Sequence, residues 1–279
     1  MARDRSYPPL PDKLPIAVVD NHTHIEPGQA SDCAELTIEQ QITQAKAVGV
    51  DRIVQCGCDL EAARWTAQAV TQHPALLGAI AIHPNQSARY PQAYPAALAE
   101  VADLAERTER IRAVGETGLD YYRTGQTGHQ VQQQAFRDHI DLAKQLGLAL
   151  QIHDRDAHRD VLDILKADGA PERTVFHCFS GDLEMAEVLA ANGWYLSVAG
   201  TVSFSANHQL RSAVAAMPGN LLLVETDAPY LTPQPYRGRP NAPYMAAVTV
   251  RVIAEVRHQE LADTCSQLSD NAVGVYGMW

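Results

Sequence analysis

His22 and His24 stand two residues apart at the end of a short apolar run, Ile16-Ala17-Val18-Val19. Residues at i and i+2 of an extended chain face the same side, so both imidazoles can serve one cation. The competing reading is a pair of exposed loop histidines, and the buried-type strand leading into the motif weighs against it. The same logic marks other positions. His83, Glu116, His153, His177 and Asp227 each fall where a separate apolar run stops. Glu116 lies in Val114-Gly115-Glu116-Thr117-Gly118-Leu119-Asp120, where the strand pattern of Ile111 and Ala113 is expected to break into a glycine-bracketed turn that displays a carboxylate. Such a carboxylate can hold two cations at once through its two oxygens, an arrangement suited to catalysis rather than scaffolding.

The elements that must position these side chains can be read from periodicity. Residues 37–48 repeat apolar positions at Ile38, Ile42, Ala45 and Val48, with Thr37 and Gln40 in capping-box spacing and Gly49 at the stop, which predicts a helix. Strands are expected at 52–56, 76–82, 111–114, 148–152, 174–176, 194–198 and 221–224, after the first one at 16–19. Helices are expected at 61–72, 96–107, 131–146, 157–166, 183–191 and 207–216. A proline-rich loop, 229–243, then precedes closing helices at 244–256 and 261–273. Eight strands alternating with helices are the pattern of a single-domain (β/α)8 TIM barrel over residues 16–279, and the length of 279 residues suits that fold. Residues 1–15, with Pro8, Pro9, Pro11 and Pro15, read as an irregular arm with no core of its own.

In a parallel barrel all strand C-termini open on one face, and that is where barrel enzymes keep their active sites. His22, His24, His83, Glu116, His153, His177 and Asp227 are all expected there, at the exits of six strands. The remaining histidines, His73, His129, His139, His158, His208 and His258, fall in helices or loops and read as surface residues. Neutral imidazoles with carboxylates suit Zn²⁺ or Mn²⁺, and the carboxylates also tolerate Mg²⁺. Four imidazoles and two carboxylates, six protein ligands in all, are too few to close two sites, and open positions are characteristic of catalytic metal.

Composition narrows the partners. A net charge of −11 argues against a broad basic face that wraps a duplex, so an anionic substrate must be held locally, by bound divalent ions. No apolar run is long enough for a membrane helix, and the opening stretch has no signal-peptide core, so a cytoplasmic protein is expected. Nothing implies an obligate protein partner. The five cysteines, Cys33, Cys56, Cys58, Cys178 and Cys265, include no CxxC pair and read as reduced thiols, with Cys56-Gly57-Cys58 buried at a strand end rather than binding metal.

Six ordered motifs carry a family resemblance: D-N-H-T-H at 20–24, I-H-P at 82–84, G-E-T-G-L-D-Y at 115–121, Q-I-H at 151–153, H-C-F-S-G at 177–181 and E-T-D-A-P-Y-L at 225–231. From about Ile16 to Gly277 the chain resembles the TatD family of metal-dependent deoxyribonucleases, within the amidohydrolase-like barrels. The resemblance implies a phosphodiesterase with two divalent ions (Mg²⁺, Mn²⁺ or Zn²⁺) in which His22, His24 and Asp227 hold one, His153 and His177 the other, and Glu116 bridges them. It implies a 3′ to 5′ exonuclease acting on DNA ends or single strands. The arm before Ile16 is longer than the family's usual start. Asn85 stands where the family often has a second histidine, and Arg237-Gly238-Arg239-Pro240-Asn241-Ala242-Pro243 lacks a glutamate common in that loop.

Several residues keep two readings. His83 either donates to the scissile phosphate or is a strand-end histidine bonded to backbone. Arg237 and Arg239 either grip flanking phosphates or decorate a solvated loop. Asp120 either supports a metal-bound histidine or stabilises a turn. Tyr121, Tyr122 and Phe179 either stack a frayed base or form pocket wall. The alternative activity for the whole chain is barrel hydrolysis of a lactone, cyclic amide or small phosphoester, since the same ions polarise a carbonyl as readily as a phosphoryl group. Against it, many binuclear relatives bridge their ions with a carbamylated lysine where this chain has Glu116.

Overall fold

The computed structural model describes residues 4–28 and 36–279. In chain order the first half of the elements is β1 (Val18–Thr23), α1 (Ile38–Ala47), β2 (Val50–Gly57), α2 (Leu60–Gln72), β3 (Leu76–Ile80), α3 (Pro84–Arg89), α4 (Tyr94–Arg107), β4 (Ile111–Asp120) and α5 (Gln126–Leu146). The second half is β5 (Ala149–Arg155), α6 (His158–Asp168), β6 (Thr174–Phe176), α7 (Leu183–Ala191), β7 (Tyr195–Val198), α8 (His208–Ala216), β8 (Leu222–Val224), α9 (Ala246–Arg257) and α10 (Leu261–Tyr276). Among the described residues the eight strands form one sheet in the order β1 to β8, the single-domain (β/α)8 TIM barrel expected from the alternation. No described helix is long and apolar enough to cross a membrane.

Two compact units divide the chain, Met1–Gln55 with Gly181–Trp279, and Cys56–Ser180. In the first, β1 is buried at all six positions although four of them are Asp20, Asn21, His22 and Thr23. A strand covered on both faces tolerates polar groups only if their hydrogen bonds are made. Asn21 donates to the Ser197 hydroxyl at 2.7 Å and to the Val224 carbonyl at 2.8 Å, and accepts from the Tyr276 hydroxyl at 2.9 Å. Thr226 donates from its amide and its hydroxyl to Asp20, at 2.8 and 2.6 Å. These bonds tie β1 to β7, β8 and α10, and so fix where His22 emerges.

The arm belongs to this unit. Residues 4–15 form no helix or strand, yet Leu14 is buried and its amide donates to Val48 O at 2.9 Å. Tyr244 donates to Pro8 O at 2.6 Å, and Arg239 donates to Ser6 O, Ser6 Oγ and Tyr7 O at 2.5–2.8 Å. The Thr37 and Gln40 capping box is formed, at 2.9 and 3.3 Å.

In the second unit the expected turn around Glu116 is instead strand. β4 runs on to Asp120, with a register shift between Val114 and Thr117 and then pairing of Gly118 with His153. The glycines mark a bulge and a close backbone approach, the other use of glycine inside a strand pattern. A Cβ on Gly115 would lie 2.5 Å from Gln151 Cβ. The short helix α3 also escaped the periodicity reading; His83 caps it, with Pro84 in its first turn. His139 is a further correction. It lies on the buried face of α5, not at the surface, because Ile82 N–H donates to its Nε2 at 3.1 Å while Nδ1 donates to Ala135 O at 2.7 Å.

Candidate metal centre

Within the Cys56–Ser180 unit, four ligand-type side chains converge on one carboxylate. Glu116 is 5% exposed. Its Oε1 meets His153 Nδ1 at short range, His177 Nε2 at 2.9 Å and His83 Nε2 at 3.6 Å. Its Oε2 accepts from the Cys58 thiol, S to O 3.3 Å. Burial by itself would raise the Glu116 pKa, but His177, His83 and His153 outweigh it and hold the carboxyl well below its usual range. Glu116 is therefore an anion surrounded by nitrogen donors.

The tautomers follow from the partners. His83 Nδ1 accepts the Asn85 amide N–H at 3.1 Å, which leaves the proton on Nε2, facing Glu116. Burial lowers the His83 pKa despite the opposing pull of Glu116. His153 turns Nδ1 to Glu116 and Nε2 toward Asp120 Oδ2, 3.3 Å away. His153 is thus held between two carboxylates, Glu116 and Asp120. Ligand atoms of His83, Glu116 and His153 lie within 4.8 Å of one another, and this set of imidazoles around an anionic carboxylate fits a divalent cation.

Asp120 behaves as a support. It accepts from Asn85 Nδ2 and from the Arg123 amide, both at 2.8 Å, and faces His153. Burial raises its pKa, yet His153, Arg123 and Asn85 together depress it far below the ordinary value. Asn85 thus holds the residue that faces a ligand histidine, and Thr124 in turn donates to Asn85 at 2.9 Å.

The other unit carries a second group of ligands. Ligand atoms of His22, His24 and Asp227 lie within 4.8 Å of one another. The His22 and His24 Nε2 atoms are 3.3 Å apart, and Asp227 Oδ1 is 3.4 Å from His24 Nε2. Two backbone bonds hold the set together: the Asp227 amide to His22 O at 3.0 Å and the His24 amide to Ala228 O at 2.8 Å. Two Nε2 atoms facing each other can share one proton at most, whereas a cation satisfies both lone pairs, so this group also fits a metal.

Other candidates are distributed as follows. Arg237 is exposed and its guanidinium lies 4.4 Å over the Phe204 ring. Arg239 spends its donors on the arm and sits 3.3 Å from Asp4. Tyr121 donates to Asp160 at 2.6 Å and stacks on His129, Phe179 is buried, and Tyr122 is exposed beneath Arg155. Cys58 is the residue that sequence reasoning passed over. Cys56 is buried as expected, but Cys58 is half-buried with its sulfur on Glu116. The signal was present, since Cys58 follows an apolar run just as His83 does. Cys33 lies outside the described residues.

A barrel whose strand ends carry such imidazole and carboxylate sets is that of a metal-dependent hydrolase. The family model described as TatD related DNase matches residues 19–277, and the chain belongs to that family. It is 43% identical over 94% of its length, and 98% of the relative's, to an uncharacterized metal-dependent hydrolase called TatD from Mycobacterium tuberculosis. A second such hydrolase, YabD of Bacillus subtilis, is 33% identical over 91% of this chain and 96% of its own. Among solved structures, the TatD homolog YjjV of Escherichia coli superposes with a TM-score of 0.84 at 26% identity, covering 94% of this chain and 98% of that one.

Proposed function

We propose that this hydrolase is a 3′ to 5′ deoxyribonuclease that acts on DNA ends or single strands with two divalent ions, Mg²⁺, Mn²⁺ or Zn²⁺. The family match supports the nucleic-acid substrate. The observation that carries the reading is Glu116 Oε1, buried among His83, His153 and His177. In this reading His153 and His177 would hold one ion, His22, His24 and Asp227 the other, and Glu116 would serve both. When bound, the ions supply Lewis-acid charge for the phosphoryl oxygens and acidify the attacking water.

The chain's own residues do the rest. Asp227, 14% exposed at its side chain, orients a water and takes its proton as the water attacks phosphorus in line. His83 carries its proton on Nε2 and donates it as a hydrogen bond to a phosphoryl oxygen as charge develops. Asn85 and Asp120 keep His153 in place. Arg237 holds a flanking phosphate. Arg239 is the weaker of the two arginines for that role, because its donors are engaged by Ser6 and Tyr7.

The test is digestion of end-labelled single- and double-stranded oligonucleotides with each metal in turn, beside a bis-aryl phosphodiester and a lactone. A ladder shortening from the 3′ end of the single strand is expected. Lactone turnover with intact oligonucleotides would replace this reading by the carbonyl hydrolase.

A further inference from the structure

The geometry points to Cys58 as an additional protein ligand of the metal centre, one that biases it toward a thiophilic ion such as Zn²⁺ or Co²⁺. This inference rests on the metal-dependent reading above. Cys58 follows β2 directly, and its backbone is clamped on both sides. His83 N–H donates to Cys58 O at 2.9 Å, and a Cβ on the preceding Gly57 would lie 2.7 Å from Ala62 O, so the first turn of α2 presses against the loop. The thiol is thus held against Glu116 by fixed backbone and not by a mobile loop.

The two oxygens of Glu116 are divided between chemistries. Imidazole nitrogens surround Oε1, and the Cys58 sulfur faces Oε2 at 3.3 Å. With Zn–O of about 2.1 Å and Zn–S of about 2.3 Å, a 3.3 Å separation corresponds to an O–Zn–S angle of roughly 100°, close to tetrahedral. An ion on Oε2 is therefore within bonding reach of sulfur without side-chain rearrangement. On coordination the S–H bond breaks, the proton leaves to solvent, and a sulfur–metal bond forms with no change of oxidation state. Thiolate is a soft ligand, so it strengthens Zn²⁺ and Co²⁺ binding far more than Mg²⁺ binding.

Cobalt titration of the chelator-stripped, full-length protein tests this, read by absorption. The imidazole and carboxylate ligands give visible d–d bands, which report the centre itself. A thiolate ligand adds a near-ultraviolet sulfur-to-cobalt charge-transfer band, expected in the wild type, kept in Cys178→Ser beside His177, and lost in Cys58→Ser with the d–d bands retained. Zn²⁺ affinity of Cys58→Ser should fall at least ~10-fold while Mg²⁺ affinity stays within about twofold. Wild-type d–d bands without the charge-transfer band, or its loss in Cys178→Ser instead, would overturn the assignment of Cys58. Absence of any d–d band would overturn the metal centre as well. The retained d–d bands of each variant show that it is folded and metal-loaded, so loss of the charge-transfer band is read only where those bands persist.

Discussion

Gly118 backs onto His153 so closely that a Cβ there would lie 2.1 Å from the His153 carbonyl oxygen, and its φ is +138°. Both facts exclude a side chain at this point of β4. Gly118→Ala is predicted to destabilise the protein by about 2–4 kcal/mol, because strain and a backbone clash act together. It should also displace His153 from Glu116. Thermal unfolding with and without Zn²⁺ checks this: the variant should melt lower and gain less from the metal. An unchanged melting temperature would mean that β4 and β5 can separate freely.

Glu116 carries the centre's charge. Glu116→Gln keeps the shape and removes the anion that faces His83, His153 and His177. On the proposed two-ion centre, metal content by elemental analysis should fall from two ions per chain toward one, and turnover should drop on the order of 10³-fold, the equivalent of several kcal/mol of charge stabilisation. Two ions retained per chain would remove the bridging role.

Asp120→Asn can keep only one of the bonds from Asn85 and Arg123, which reach different oxygens, and deletes the charge opposite His153 Nε2. Metal affinity should decline about 10- to 100-fold, with the fold intact by circular dichroism. Equal affinity would make Asp120 a turn residue only, the other reading its sequence position allowed.

The two arginines of the 237–243 loop should separate experimentally. Arg237→Ala should raise KM for single-stranded DNA with little change in kcat, whereas Arg239→Ala should chiefly loosen the arm. The latter loses contacts to Asp4, Ser6 and Tyr7 and should become more sensitive to trypsin near Arg5. A KM effect confined to Arg239→Ala would reverse the two roles.

How much of this was legible in the sequence differs by kind of residue. Strand ends announced themselves, because an apolar run that stops at a histidine leaves few uses for that imidazole; His83, His153 and His177 all meet Glu116. Glycine was ambiguous. Gly115 and Gly118 signal either a turn or a bulge, and only the pairing of Thr117 and Gly118 with β5 decides for the bulge. Cys58 was hidden by its neighbour, since Cys56 is buried and the two read as a pair. Arg239 was read for its charge, whereas its partners come from an arm more than two hundred positions earlier in the chain. His139 was misread because α5 is long and polar overall, and a single histidine on its buried face gives no periodic signal.

His139 makes the last prediction, on stability against pH. It is fully buried between Ile82 N–H and Ala135 O, with the Tyr94 ring 6.0 Å away and Asp138 beside it. Burial pushes its pKa down to about 4, against the partial opposition of the Ala135 carbonyl and Asp138. Between that value and the ordinary 6.5 the unfolded chain binds one more proton than the folded one, so stability rises with pH across this window. The contribution is complete above pH 6.5 and is lost as pH falls toward 4, amounting to roughly 3 kcal/mol at most. Protonation would also put a second donor on Nε2, against the Ile82 N–H, and release the turn that leads to His83. His139→Gln, which cannot titrate, should melt lower than wild type at pH 7.5 but lose less on acidification from 6.5 to about 4. Parallel melting curves for the two proteins through that range would show that His139 does not couple folding to protons.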